Sequence, residues 1–334
     1  MGSHWAGRIR QQGYAGPVID SIGHLVRAFD TEENDVLIGV TEANGVAPLR
    51  EVTSISQLLH LDLADLRSAL SRTGPPIPFE QVRFLPPIDG VMEVWAAGVT
   101  YLASREARIE ESGDRDVYRR VYEAERPELF FKSPGWRVVT DGEPIAVRDD
   151  SPNNVPEPEI GLVLNSRGEL VGFTMVDDVS SRTIEGANPL YLPQAKVYDG
   201  CCALGPSIVP RWLVTDETDI GINMTITRER SPIFVGESST GRMKRSFAEL
   251  TGFLFRQLTF PDGVVLATGT SVVPPLTTTL SVGDLVEISI DGLGRFTTPV
   301  APADAVGAWL AERRADPNLS FGHESGSHAG DEAS

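Results

Sequence analysis

Glu157 and Glu159 stand one residue apart in the run Val155-Pro156-Glu157-Pro158-Glu159-Ile160, and Asp178 follows Glu157 by twenty-one residues. In an extended chain residues i and i+2 point to the same face. The two glutamates would therefore aim their carboxylates at one spot, and Asp178, which ends the next apolar run, can supply a third. Three converging carboxylates repel one another unless a cation holds them. Oxygen-only ligands suit hard divalent ions: Mg2+ takes a few carboxylates and keeps positions for water or substrate, and Mn2+ accepts the same set. The same residues would also serve as an exposed strand, with Asp178 capping the turn that follows, and spacing by itself does not choose between the two.

The elements around these residues are legible in outline. Apolar runs at 160–164 and 170–176 flank the turn Asn165-Ser166-Arg167-Gly168, the pattern of a hairpin or of neighbouring strands. From 145 to 300 short β-branched runs alternate with Gly, Pro and Asp turns, which predicts a mainly β catalytic unit, a sandwich or roll, interrupted by one amphipathic helix over 240–258. Residues 1–90 read as a small leading α+β domain. Strand-like pieces at 7–10, 17–19 and 36–40 precede one helix, capped by Ser54 and Gln57 and carrying Ile55, Leu58, Leu59, Leu63, Leu66 and Leu70 at helical spacing until Gly74-Pro75-Pro76 ends it. His24 and His60 beside this stripe read as structural. Pro86-Pro87 marks the boundary, a charged segment over 104–128 reads as an exposed helical lid, and a Ser-, Gly- and His-rich tail over 313–334, with His323 and His328, is expected to be disordered from about Asp316. The fold class expected is α+β, mainly β, with the catalytic unit over 91–312.

Composition limits the partners. The chain has 334 residues, 41% of them hydrophobic, enough for a substantial core, and a net charge of −18 that disfavours nucleic acid or an anionic membrane surface. The two cysteines are the neighbours Cys201 and Cys202, which give no ordinary disulfide framework. The first residues lack the apolar core of a signal peptide, and no apolar run approaches the roughly 20 residues of a membrane helix. A cytoplasmic location is expected.

No glycine-rich nucleotide loop, CxxC pair or nucleophile elbow is present, and a cysteine nucleophile would lack its partner, because no histidine occurs between residues 61 and 322. What the chain does carry is an ordered set: Gly98-Val99-Thr100-Tyr101, Glu128 to Lys132, Glu157-x-Glu159, Asp178-Val179-Ser180-Ser181-Arg182, Lys196, Leu204-Gly205-Pro206, Thr268-Gly269-Thr270 and Val282-Gly283-Asp284. This set resembles the fumarylacetoacetate hydrolase family over about 91–300. The resemblance implies a β-roll catalytic domain, Mg2+ or Mn2+ held by Glu157, Glu159 and Asp178, a 2-oxo acid as substrate, and a homodimer or homotetramer. Hydrolases of the family carry N-Y-x-x-H-x-x-E, whose His–Glu pair activates water. Here the run is Thr100-Tyr101-Leu102-Ala103-Ser104-Arg105-Glu106-Ala107, so that base is missing. The segments around Tyr101 to Arg105 and Arg126 to Lys132 look instead like the branch that holds 2-keto-3-deoxy-D-arabinonate dehydratase.

That resemblance implies dehydration of a 2-keto-3-deoxy sugar acid. The metal would stabilise the enolate left by removal of a C3 proton, the C4 hydroxyl would leave, and tautomerisation would give 2,5-dioxopentanoate, with no water nucleophile. Lys196 matches the family's active-site lysine and is expected as the base or as a charge partner; Glu128 is the candidate for acid–base work on the leaving hydroxyl. Lys132 and Thr270 are expected to hold the substrate carboxylate. Ser104, Arg105 and Glu106 would read substrate hydroxyls, and Tyr101 would be core or pocket wall. Asp284 is read as turn chemistry and Asp199 as a residue that orients Lys196. The competing readings are a C–C hydrolase or decarboxylase of 2,4-dioxo acids with another base, and a noncatalytic metal-stabilised scaffold.

Overall fold

The structure is a computed structural model that describes residues 22–111 and 115–321. The strands expected at 7–10 and 17–19, His323 and His328 lie outside the described residues. In chain order the strands are β1 (Leu25–Asp30), β2 (Asp35–Glu42), β3 (Gly45–Pro48), β4 (Ile77–Pro78), β5 (Val82–Leu85), β6 (Glu93–Gly98) and β7 (Glu128–Pro134). There follow β8 (Ile145–Val147), β9 (Asn154–Val155), β10 (Pro158–Leu164), β11 (Leu170–Asp178), β12 (Ser180–Ser181), β13 (Cys202–Leu204) and β14 (Ser207–Pro210). The last five are β15 (Gly221–Arg228), β16 (Ser231–Ser239), β17 (Val264–Ala267), β18 (Leu285–Ile290) and β19 (Gly294–Pro302). The helices are α1 (Ile55–Leu59), α2 (Leu63–Leu70), α3 (Leu102–Glu111), α4 (Arg115–Glu123), α5 (Arg182–Ala187), α6 (Leu192–Lys196), α7 (Phe247–Leu254) and α8 (Ala303–Ala315). The class is α+β, mainly β.

A twelve-stranded sheet runs β4-β3-β2-β1-β14-β11-β10-β17-β6-β7, with β5 added on β1 and β13 on β11. A five-stranded sheet, β16-β15-β18-β19-β8, places β15 against β10 and β18 against β11. The hairpin β10–β11 is therefore packed against this second sheet. All seven residues of β10 and eight of the nine in β11 are buried, which is why their sequences read as apolar runs with little alternation. Each fully buried Leu, Ile, Val or Phe here contributes about 1.5–3 kcal/mol relative to exposure. At the hairpin's turn Gly168 adopts φ +77°, and the Asn165 Oδ1 accepts the N–H groups of Arg167 and Glu169.

Three expectations change in detail. The helix read over 55–70 is two helices, because Asp62 Oδ1 accepts the Asp65 N–H and starts a second one. The helix read over 240–258 is shorter, beginning after Ser246, whose hydroxyl caps Glu249. Residues 316–321, read as disordered, pack back on α8: Phe321 meets Trp309 edge-on at 5.5 Å, and Trp309 Nε1 donates to Leu319 O. The leading segment also joins the main sheet, since β1 pairs with β14 through Leu25↔Ile208 and Val26↔Ser207.

Candidate active site

The hairpin register brings the three acids together. Pro158 pairs with Asp177 and Glu159 with Val176, and the Asp178 N–H donates to Glu157 O. One carboxylate oxygen from each of Glu157, Glu159 and Asp178 lies within 4.8 Å of the other two, and all three residues are buried. Glu159 Oε2 also accepts the Gly269 N–H at 2.7 Å. Gly269 sits at φ +91°, and a Cβ there would fall 2.0 Å from Thr100 Oγ1, so only glycine lets the backbone reach the carboxylate. Thr100 Oγ1 in turn donates to Thr268 O. The neighbouring Val99, β-branched, takes φ +52°, a strained conformation held by this packing.

Two buried lysines bracket the cluster. The Lys196 ammonium, delivered by the last residue of α6, lies 2.5 Å from Glu157 Oε2, 2.9 Å from Asp178 Oδ2 and 2.5 Å from Ser180 Oγ. Lys132 comes from the opposite side, where the β6–β7 pairing shifts register between Val94 and Trp95 and leaves it unopposed. Its ammonium pairs with Asp178 Oδ1 at 2.5 Å and donates to Val179 O and Lys196 O at 2.9 and 2.6 Å. These contacts would let Lys132 fix Asp178 and the end of α6, a positioning role to set beside the expected carboxylate anchor.

The electrostatics fit a divalent cation. Four carboxylates, Glu157, Glu159, Asp177 and Asp178, are buried together beside the Lys132 and Lys196 ammonium groups. Burial, and then the Asp178 carboxylate, push Glu159 well above the usual carboxylate range. Burial likewise raises Asp177 to about 7; its Oδ1 accepts the Glu157 N–H, and its Oδ2 has no hydrogen-bond partner among the described residues. An all-oxygen donor set of this charge suits Mg2+ or Mn2+.

The remaining predicted residues divide between the wall of this cluster and a lid. Glu128 opens β7 opposite Gly98, its Oε2 lying where a Cβ on Gly98 would be 2.1 Å away. Two residues on, the Phe130 ring lies 5.6 Å from Lys196 Nζ. Thr270 is buried one residue beyond Gly269, its Oγ1 accepting the Val272 N–H. Tyr101 is buried with its hydroxyl unpartnered, and desolvation with the nearby Glu159 charge keeps that hydroxyl protonated. Ser104 turns back on its own helix, donating to Tyr101 O at 2.9 Å. Arg105 lies over Tyr122 and 3.7 Å from Glu106, whose side chain is 62% exposed. Asp199 pairs with Arg137 rather than Lys196, and Asp284 accepts from Arg228 and the Ser281 N–H, the turn role expected of it. Sequence reasoning gave no role to Ser180, whose hydroxyl donates to Glu157 Oε2, or to Asp177. Ser180's place in Asp178-Val179-Ser180 was the available signal, since i and i+2 share a face.

The site's neighbours among known proteins agree with its chemistry. A probable 2-keto-3-deoxyxylonate dehydratase of Haloferax volcanii is 50% identical over 214 residues, 64% of this chain and 73% of that protein. The 2-dehydro-3-deoxy-D-arabinonate dehydratase of Saccharolobus solfataricus is 44% identical over 223 residues, 66% of this chain and 74% of that protein. A solved 2-keto-3-deoxy-D-arabinonate dehydratase complexed with magnesium and 2,5-dioxopentanoate superposes with TM-score 0.72 at 34% identity, covering 84% of this chain and 99% of that one. The family model described as fumarylacetoacetate (FAA) hydrolase C-terminal matches residues 93–301, which contain every acid and lysine of the cluster. With more than half its length matched and the site inside the match, the chain belongs to the fumarylacetoacetate hydrolase family.

Proposed function

We propose that the protein is a Mg2+-dependent hydro-lyase that dehydrates a 2-keto-3-deoxy sugar acid, such as 2-keto-3-deoxy-D-arabinonate, to 2,5-dioxopentanoate. The observation that carries this reading is the Lys196 ammonium set between Glu157 and Asp178 in a cluster with no histidine. Glu157, Glu159 and Asp178 would hold the cation, which supplies a Lewis acid for the carboxylate and keto oxygens of the 2-oxo acid. Lys196 would exchange the C3 proton; its contacts with Glu157 and Ser180, which fix its Nζ, support that role. Glu128, on the strand that also presents Phe130, is the group assigned to protonate the departing C4 hydroxyl. Thr270 and the N-terminal turn of α3, with Tyr101, Ser104, Arg105 and Glu106, would hold the rest of the substrate. The water-activating His–Glu pair of the hydrolases has no counterpart here, which favours elimination over hydrolysis.

Purified protein with Mg2+ is expected to convert 2-keto-3-deoxypentonate to a semialdehyde that a coupled NAD(P)-dependent enzyme detects, and Glu159→Ala to abolish that turnover. Undiminished turnover in EDTA would refute the metal role. We further infer a cytoplasmic homo-oligomer. The two unbridged cysteines support the first point, and Val235 and Ile233, exposed on the edge strand β16, support the second. No helix among the described residues is long and apolar enough to cross a membrane. A monomeric mass by light scattering would overturn the oligomer.

A further inference from the structure

Apart from the carboxylate cluster, the molecule holds a second concentration of charge, buried at Arg313, part-buried at Arg27 and Asp89 and exposed at Arg314, that the proposed reaction does not use. Arg27 of β1, Leu85 of β5, Asp89, Trp136, and Arg313 and Arg314 of α8 line a cavity of about 310 Å3. Three guanidinium groups thus surround one carboxylate, in a chain whose net charge is −18. Arg313 is fixed in place, paired with Glu143 Oε2 and donating to Val138 O and Trp136 O. Arg83 stands behind it, 4.0 Å from Glu143 Oε1 and donating to Pro317 O.

The other two arginines are poorly matched. Arg27 reaches Asp89 at 3.8 Å, too far for a hydrogen bond, while Asp89 accepts the Ser56 N–H at 2.6 Å. Arg314 stacks over Trp136 at 5.5 Å and pairs with no carboxylate among the described residues. Burial depresses the Arg27 group, with Arg313 and Arg83 adding to that against the opposing charges of Asp89 and Glu143. A partly buried guanidinium without a close acceptor is costly, and an anion seated between Arg27 and the exposed Arg314 would relieve that cost at Arg27.

We propose that this cavity is a binding site for a small organic anion bearing a phosphate or paired carboxylates, gripped by Arg27 and Arg314 with Trp136 and Leu85 as the apolar wall. The volume is at the lower end for small-molecule sites, roughly 300–1,000 Å3, and exceeds what an inorganic ion alone would fill. Guanidinium planes suit both oxyanions through paired N–H donors. The cavity lies beyond one end of β7, whose Glu128 and Lys132 belong to the catalytic cluster, so the two sites share a strand but no lining residue.

Calorimetric titration of the full-length protein with inorganic phosphate and with succinate, at ionic strength held constant with sodium chloride, tests the assignment. At least one anion is expected to bind to the wild type, and Arg314→Gln and Arg27→Gln each to weaken that binding about tenfold, a loss of about 1.4 kcal/mol. Arg256→Gln, whose guanidinium lies over Phe253 instead, is expected to leave it unchanged. Arg314 is exposed on α8, so its variant keeps the test interpretable should Arg27→Gln fold poorly. Preference for phosphate or for succinate identifies the source of the charge. Absence of binding above the chloride background, or wild-type affinity in Arg314→Gln, would overturn the proposal.

Discussion

Around Glu157, Glu159 and Asp178 the charged groups are held by short contacts from buried strands: Lys132 on one oxygen of Asp178, Lys196 on the other, and the Gly269 N–H on Glu159. On α3, by contrast, Leu102, Ala103 and Glu106 are exposed, and Arg105 is steadied by the ring of Tyr122 on the second lid helix, α4. The first region can fix atoms to within a fraction of an ångström because several elements converge on each charge. The second rests on few contacts, which suits groups that must admit and release a substrate. If the first region does the chemistry and the second the recognition, substitutions in the two regions are expected to fail in different ways.

The largest effect should follow loss of Lys196. Lys196→Ala is expected to lower kcat by about 10²–10⁴-fold, the range for a positioned acid or base, with smaller changes in KM. A full-rate variant would remove the lysine from the chemistry. Lys132→Met tests the positioning role. It leaves Asp178 short of one counter-charge in a buried site, so stability by urea denaturation should fall by about 3–5 kcal/mol. If Lys132 instead held the substrate carboxylate, the main loss would appear in KM with stability unchanged.

How far the sequence reaches follows the same division. The triad was readable because strand alternation is local: residues i and i+2 share a face whatever the rest of the chain does, and the apolar runs around Gly168 specified the hairpin that returns Asp178 to the glutamates. The fold class followed from the many short β-branched runs. What could not be read depends on contacts between distant elements. Lys132 follows an apolar run, and its contacts with Asp178, Val179 and Lys196 come from the shifted register of β7, which no local pattern announces. Asp199 lies three residues after Lys196, yet it faces Arg137, because α6 ends at Lys196 and the chain turns away. The extension of the main sheet by β1 through β14 is likewise a long-range pairing that neither strand announces.

That seam supplies the next test. His24 is buried beside it, its Nδ1 3.3 Å from Ser207 Oγ, and burial lowers its pKa from 6.5 to about 4. The folded value lies below the unfolded one, so His24 is neutral in both states above pH 6.5. As pH falls towards 4 the unfolded chain takes up the proton first, and stability is lost over that window, by about 3 kcal/mol in all. Urea midpoints measured from pH 7.5 to 4.5 should therefore fall more steeply for the wild type than for His24→Gln; parallel curves would show that the ring is not held neutral.

The smallest expected effect belongs to the lid. Glu106 is largely exposed and its partner Arg105 is 3.7 Å away, so the pair gains little in water, and Glu106→Ala should change stability by less than about 0.5 kcal/mol. If α3 reads substrate hydroxyls, the same substitution should raise KM for the sugar acid several-fold while leaving kcat within about twofold, because the groups around Lys196 stay in place. A fall in kcat matching that of Lys196→Ala would mean that Glu106 moves onto the reacting atoms when substrate binds, and the separation of the two regions would then hold only for the free enzyme.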